Sequence, residues 1–127
     1  MMKDILISVI IPVYNAGRTL AATVSSVLSQ DFDSFELILV NDGSKDDSGA
    51  LCDRLAMSDD RIRVIHKSNG GVSSARNAGL EAACGRYVMF MDADDMLKQG
   101  ALSLMYADDA DFVVAGFEKV EAGKRYS

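Results

Sequence analysis

The sequence predicts an α/β protein with a doubly wound, mostly parallel sheet. Three observations predict it. Apolar runs of strand length recur along the chain, helical stretches separate them, and the loops between are short. Right-handed crossovers bring the C-termini of parallel strands to one edge, and ligands bind there, where strand order reverses. With about five strands and the order 3-2-1-4 for the first four, the reversal falls between strands 1 and 4.

Each element has its own warrant. Ile5 to Ile11 is a β-branched run of strand length, closed by Pro12, which lacks the N–H a central ladder needs. After Pro12-Val13-Tyr14-Asn15-Ala16-Gly17, a helix carries Leu20, Val24, Val27 and Leu28 on one face. Asn15 suits its entry as an N-cap or turn residue. Phe35 to Asn41 is the second strand; Gly43 permits a tight turn, and Ser44 with Asp47 resembles a capping box for a short helix with Leu51 and Leu55 inward. Arg61 to His66 forms a third strand near an edge, and Lys67 to Gly71 a loop.

Val72 to Ala83 is a helix rich in small residues, which let it lie close to the sheet; Arg76 and Asn77 are the exceptions in its first turns. Tyr87 to Met91 is a continuous apolar run, the pattern of a strand buried on both faces. With Arg86 and Asp92 it makes the fourth strand. A helix around Gly100 to Ala107 and a fifth strand, Asp111 to Phe117, follow. The polar tail from Glu118 is expected to fray.

The totals fit one soluble domain spanning residues 1–127, with 49% hydrophobic and 25% charged residues. Thirteen basic against nineteen acidic residues give a net charge of −6, which excludes a general nucleic-acid or anionic-membrane binder. Cys52 and Cys84 stand apart without metal-type neighbours and read as small buried hydrophobes in helices. The N-terminus is no signal peptide, because Asp4 sits in the n-region and Pro12 stops the run early. No stretch has the ~20 apolar residues of a membrane span, so a cytoplasmic, soluble chain is expected.

Three groups converge on the predicted cleft: Pro12–Asn15, Asp42–Ser44 and Asp92–Asp95. Three carboxylates within four residues beside a core need cationic or hydrogen-bonding partners. Either one of them caps the next helix, or the cluster holds a hard divalent cation. Tyr14 is suited to flank a flat base, or is a turn tyrosine. Asp42 is able to accept from a base N–H, or serves its turn. Arg76 sits near a helix start, where the dipole disfavours a cation. An anionic ligand explains it, as does an ion pair with Asp92, Asp94 or Asp42. Together these make a site for a base, a ribose, a diphosphate and a metal. Neither a Gly-X-Gly-X-X-Gly fingerprint nor a Gly-Lys-Ser/Thr loop is present.

Four motifs in register, Ser8-Val9-Ile10-Ile11-Pro12-Val13-Tyr14-Asn15, Leu39-Val40-Asn41-Asp42-Gly43-Ser44, Ser74-Ala75-Arg76-Asn77-Ala78-Gly79 and Met91-Asp92-Ala93-Asp94-Asp95, closely resemble the family 2 inverting glycosyltransferases of GT-A fold, in their nucleotide-binding half. The resemblance runs from about Ile5 to Glu118. It implies transfer of a sugar from a nucleoside diphosphate sugar, UDP or dTDP, to a glycan, lipid-linked sugar or other hydroxyl acceptor. By the resemblance Pro12 and Tyr14 flank the base, Asp42 accepts from its ring N–H, and Arg76 lies near base or diphosphate. Asp92 and Ala93 meet the ribose side of the nucleotide, Asp94 holds Mn2+ or Mg2+, and Asp95 assists or caps.

One departure is plain. The family's acceptor half and general base lie well beyond the Asp-X-Asp triplet, whereas this sequence stops at Ser127. Asp108, Asp109 and Asp111 fall at the wrong edge of a parallel sheet, and Glu118 in the tail is expected too far from the reacting carbon. No catalytic base is identifiable. The expectation is a truncated chain with the donor site alone, working in the cytoplasm or at the inner face of the membrane. An exposed edge at strand 4 or 5 favours self-association. The alternative is a nucleotide-sugar-binding module without transfer activity. A phospho-receiver would put its acidic pair after strand 1, where this chain has Pro12-Val13-Tyr14-Asn15.

Overall fold

The structure, a computed structural model, describes residues 5–103, 113–114 and 117–121. Strands β1 (Ile7–Val13), β2 (Phe35–Asp42), β3 (Ile62–Lys67) and β4 (Tyr87–Phe90) alternate with helices α1 (Leu20–Leu28), α2 (Ser48–Ser58) and α3 (Val72–Ala82). Two further strands, β5 (Val113–Val114) and β6 (Phe117–Glu121), complete a sheet of order β3-β2-β1-β4-β6-β5. The first four strands are parallel and in the predicted order, so the reversal lies between β1 and β4. Among the described residues no helix is long and apolar enough to cross a membrane.

Strand alternation sorts the core into two layers. Val9, Ile11, Val13, Leu37 and Leu39 pack with Leu20, Val24 and Val27 of α1 and Cys52 of α2. On the other face Ile10, Ile38, Val40 and Val88 meet Ala75 of α3. The small residues of α3 let it approach closely: a Cβ on Gly79 would sit 2.4 Å from Ile10 Cγ2.

Several boundaries differ from expectation, each for a physical reason. β1 continues through Pro12 to Val13. Ile10 turns its carbonyl toward Met91, so Pro12, two residues on, faces the same side beyond the end of β4, where no ladder N–H is required. Ser44 and Asp47 form no capping box; α2 has Asp47 at its N-cap without a side-chain bond, and Ser44 Oγ accepts from the Asn15 N–H instead. Cys84 lies past the end of α3 and is exposed, not buried in a helix; only Cys52 is the small buried hydrophobe expected.

The greatest difference is at the C-terminal side. The single strand expected at Asp111–Phe117 is two strands, because the chain reverses between residues 114 and 117 and β6 returns antiparallel along β4. Position 118 therefore pairs with Phe90 at the carboxyl edge, not in a frayed, distant tail. β4 is not an edge strand, which removes half of the reason for expecting self-association. Of the helix expected at 100–107, residues 101–103 are helical, Gly100 is a turn residue with a φ of 84°, and residues 104–107 lie outside the described residues, as do Asp108, Asp109 and Asp111.

Because Ile10 is wholly buried and β-branched, it has little room to yield to a new methyl group. Gly79→Ala is expected to destabilise the fold by about 1–3 kcal/mol, read as a lowered urea midpoint; an unchanged midpoint would contradict the close approach of α3.

Candidate functional site

The parallel register delivers the cleft residues together. β1 ends at Val13 opposite Asn41, β2 ends with Asp42 opposite Lys67, and β4 ends at Phe90 opposite Ile10. Tyr14 follows β1 with 46% of its surface exposed, a large aromatic left uncovered beside partly buried Pro12. Asn15 takes a positive φ of 50° and its Oδ1 accepts the Lys45 N–H at 2.8 Å. Ala16 N–H donates to Ser48 Oγ at 2.8 Å. These bonds stitch the loop after β1 to the loop after β2.

Asp42 is almost fully buried, 3% exposed, and its carboxylate is caged by the loop before α3. Oδ1 accepts from Lys67 Nζ at 2.9 Å and Gly70 N–H at 3.0 Å; Oδ2 accepts from Gly71 N–H at 2.9 Å and Asn69 Nδ2 at 3.4 Å. Burial by itself raises the Asp42 pKa, but Lys67 and the two glycine N–H groups outweigh it and hold the group below its ordinary value. A carboxylate offers about four acceptor positions, and the chain fills them. The long Asn69 contact is the weakest of the four. Asn69, Gly70 and Gly71 thus act first on Asp42.

Arg76 projects from the first turns of α3. Its guanidinium lies 3.8 Å from Asp92 Oδ1, and its Cζ 5.5 Å from the centroid of the Phe90 ring. The Nε is shielded from solvent and has no hydrogen-bond partner. Of the ion pairs open from the sequence, the one with Asp92 forms, though it is long.

The acidic turn is anchored to α1. Thr19 Oγ1 and Thr23 Oγ1 both donate to the Ala93 carbonyl, at 2.9 and 2.8 Å. Asp95 N–H donates to the Asp92 carbonyl and Asp95 Oδ2 accepts the Asp92 N–H at 3.4 Å, so Asp95 closes the turn. Asp92, Asp94 and Asp95 each offer a carboxylate oxygen within 4.8 Å of the others. Asp92 and Asp94 are exposed and Asp95 half-buried. Three like charges at this spacing repel one another, and hard oxygen donors suit a divalent cation. A cavity of about 440 Å³ adjoins them, lined by Asn15, Arg18, Thr19, Asp46, Ala93 and Asp94, among others.

Pro12, Tyr14, Asp42, Arg76 and Asp92–Asp95 lie at this one edge. Sequence reasoning missed Lys67, taken for loop, and the threonines of α1. The signal for Lys67 lay in strand register, which pairs it with Asp42.

Similarity to known proteins agrees with this geometry. Residues 8–126 match the family described as Glycosyl transferase family 2. The glycosyltransferase GlyG of Streptococcus pneumoniae serotype 4 is 41% identical over 117 residues, 88% of this chain and 39% of that protein. A crystal structure of S. aureus TarS 1–349 in complex with UDP-GlcNAc superposes with a TM-score of 0.75 at 30% identity, over 81% of this chain and 30% of that one. The mannosyltransferase PcManGT from Pyrobaculum calidifontis, in complex with GDP-Man and Mn2+, shares the fold at TM-score 0.73 and 22% identity, over 80% and 31% of the two chains. The chain thus spans about two-fifths of GlyG and less than a third of these structures.

Because the folded Asp42 carboxyl titrates below its unfolded value, its stabilisation is present above the ordinary carboxylate range and lost as pH falls through the depressed value. Asp42→Asn is expected to cost about 1–3 kcal/mol at neutral pH, with the difference from wild type shrinking toward about pH 3. Urea titrations of both proteins across that range check it; a constant difference would deny that the charge matters.

Proposed function

The chain belongs to glycosyl transferase family 2, and from that premise we propose that its cleft holds the nucleotide of a nucleoside diphosphate sugar for inverting, metal-assisted transfer to a hydroxyl acceptor. The observation that carries the reading is the juxtaposition at one sheet edge of an uncovered aromatic, a caged carboxylate, a half-free arginine and three clustered aspartates. Each answers one part of such a donor.

Tyr14 and the rigid Pro12 flank the base. Asp42 is kept ionised as the acceptor for a ring N–H, which takes the place of the long Asn69 contact; this favours uracil or thymine, whose N3 carries a proton. Arg76 reaches base or diphosphate with the exposed part of its guanidinium, steadied by the Phe90 ring. Asp92 is left to accept from ribose hydroxyls, and Ala93, its carbonyl tied to α1, fixes the spacing between Asp92 and Asp94. Asp94, with Asp95 assisting, would hold Mn2+ or Mg2+, and such an ion bound there supplies charge stabilisation for the departing diphosphate. The complexes of TarS with UDP-GlcNAc and of PcManGT with GDP-Man and Mn2+ support this class of ligand.

By the family resemblance, the site for the acceptor, a glycan or lipid-linked sugar, and the base that deprotonates it are expected beyond the matched segment, which is 39% of GlyG. A base must reach the acceptor hydroxyl directly or through one water. The cleft residues named above serve donor binding and orientation.

Calorimetric titration of UDP is expected to show binding with Mn2+ and little without it, and Asp94→Ala is expected to abolish the metal dependence. Absence of binding under every condition would refute the donor site in this chain. Arg76→Gln is expected to weaken UDP by about ten- to a hundredfold, the value of one charged hydrogen bond, with an unchanged melting midpoint; equal affinity would remove Arg76 from the site.

A further inference from the structure

The Asp42–Ser44 turn is held by a chain of hydrogen bonds that begins outside the cleft. Ser44 N–H donates to Asn41 Oδ1 at 3.1 Å. A backbone N–H can only donate, so this contact fixes which way the Asn41 amide faces. Its Nδ2 then points at His66 Nδ1, 3.0 Å away. A donor on that side requires Nδ1 to be bare, which places the ring proton on Nε2, where it donates to Asp53 Oδ1 at 2.8 Å. Every link has one direction, set by the one before.

We propose that His66 is a positioning residue of the donor site: with one ring proton it holds Asn41 in the orientation that orders the Asp42–Ser44 turn, and a second proton releases that turn. This rests on the donor-site reading above. With Nδ1 protonated, N–H faces N–H between His66 and Asn41. Rotating the amide restores that contact but sets Nδ2 against the Ser44 N–H. One of the two bonds is lost either way, beneath a residue only 9% exposed. Ser44 is also the residue whose Oγ accepts the Asn15 N–H and contacts the Val13 carbonyl, next to Tyr14. The disturbance therefore reaches both loops that line the cleft.

The surroundings leave the effect to these groups. From α2, Asp53 is the charge facing the ring, and Gly49 leaves the space: a Cβ there would lie 2.8 Å from Asn41 Nδ2 and 3.8 Å from His66 Cε1. From β2 comes neutral Asn41. On its own strand Lys67 is engaged by Asp42, and α3 lies on the other face of the sheet, over Ile65. With both ring nitrogens protonated, Nε2 keeps its outer partner Asp53 while Nδ1 loses its inner one, Asn41.

His66 is the sequence's one histidine, so its imidazole signals need no assignment. Nitrogen-15 NMR of the 127-residue chain is expected to show bare Nδ1 and protonated Nε2 at the alkaline end. The Ser44 amide is expected to shift in step with the His66 ring signals when the sample is taken from about pH 8 to 5. Affinity for UDP with Mn2+ is expected to fall about two- to tenfold across that range, and His66→Gln to remove this part, since the ligand's own titration is common to both proteins. A proton found on Nδ1, a Ser44 amide that ignores His66, or an identical pH profile in His66→Gln would overturn the proposal. The first two readouts use the wild-type chain and no nucleotide. UDP failing to bind at any pH while the Ser44 amide follows His66 would instead strike at the donor-site reading, and with it the claim that the turn serves a donor.

Discussion

Two buried carboxylates on one strand hold the helix that carries Arg76. Asp42, at the end of β2, accepts from Gly70 and Gly71 N–H just before α3. Glu36, near the start of β2, accepts the Cys84 N–H just after α3 at 2.6 Å, together with Ser8 Oγ at 2.7 Å and Arg63 Nη1 at 2.6 Å. Arg63 in turn donates to the Ala82 carbonyl at the last residue of the helix. α3 is thus fixed at both ends by the strand it crosses. Burial alone raises the Glu36 pKa, yet the donors around it outweigh that and keep the group below its usual value. Breaking such a pair from one side leaves an uncompensated charge, so neither end gives way cheaply.

The consequence for the site is positional. A helix held at both ends and lying within reach of Ile10 through Gly79 has no freedom to slide along the sheet. Arg76 is therefore set against Phe90 and Asp92 by packing remote from any ligand. The acidic turn is held separately, by the two α1 threonines on the Ala93 carbonyl. Arginine and aspartates come from opposite layers of the sheet and meet only at its edge, which is what a reversal of strand order between β1 and β4 accomplishes.

Much of this was legible because parallel-sheet chemistry is written in local patterns. The buried apolar runs gave β1, β2 and β4, and the placing of Tyr14, Asp42 and Asp92–Asp95 directly after strands gave the cleft. What escaped depends on partners distant in sequence. That Lys67 neutralises Asp42 follows from register, not from either residue's neighbours. Ser44 and Asp47 have capping-box spacing, but Asn15 N–H competes for the serine and wins. The β5–β6 hairpin was missed because Val113 to Phe117 is as apolar as a single strand, and the antiparallel return is decided by the open side of β4.

The carboxylates of this chain fall into two kinds, and the contrast bears on function. Asp42 and Glu36 are buried, and the chain supplies each with three or more donors. Asp92 and Asp94 are exposed, near one another and near Asp95; Arg76 lies 3.8 Å from Asp92, and Arg18 lines the same cavity as Asp94. A fold that satisfies its buried charges so fully has the donors to satisfy these. Threonine hydroxyls stand beside the turn, yet they go to the Ala93 carbonyl and not to a carboxylate. Backbone order at that turn is thus secured by the threonines and by Asp95 Oδ2, and not by the oxygens of Asp92 and Asp94. The proposed cation with its diphosphate would meet the aspartates and the exposed part of the Arg76 guanidinium together.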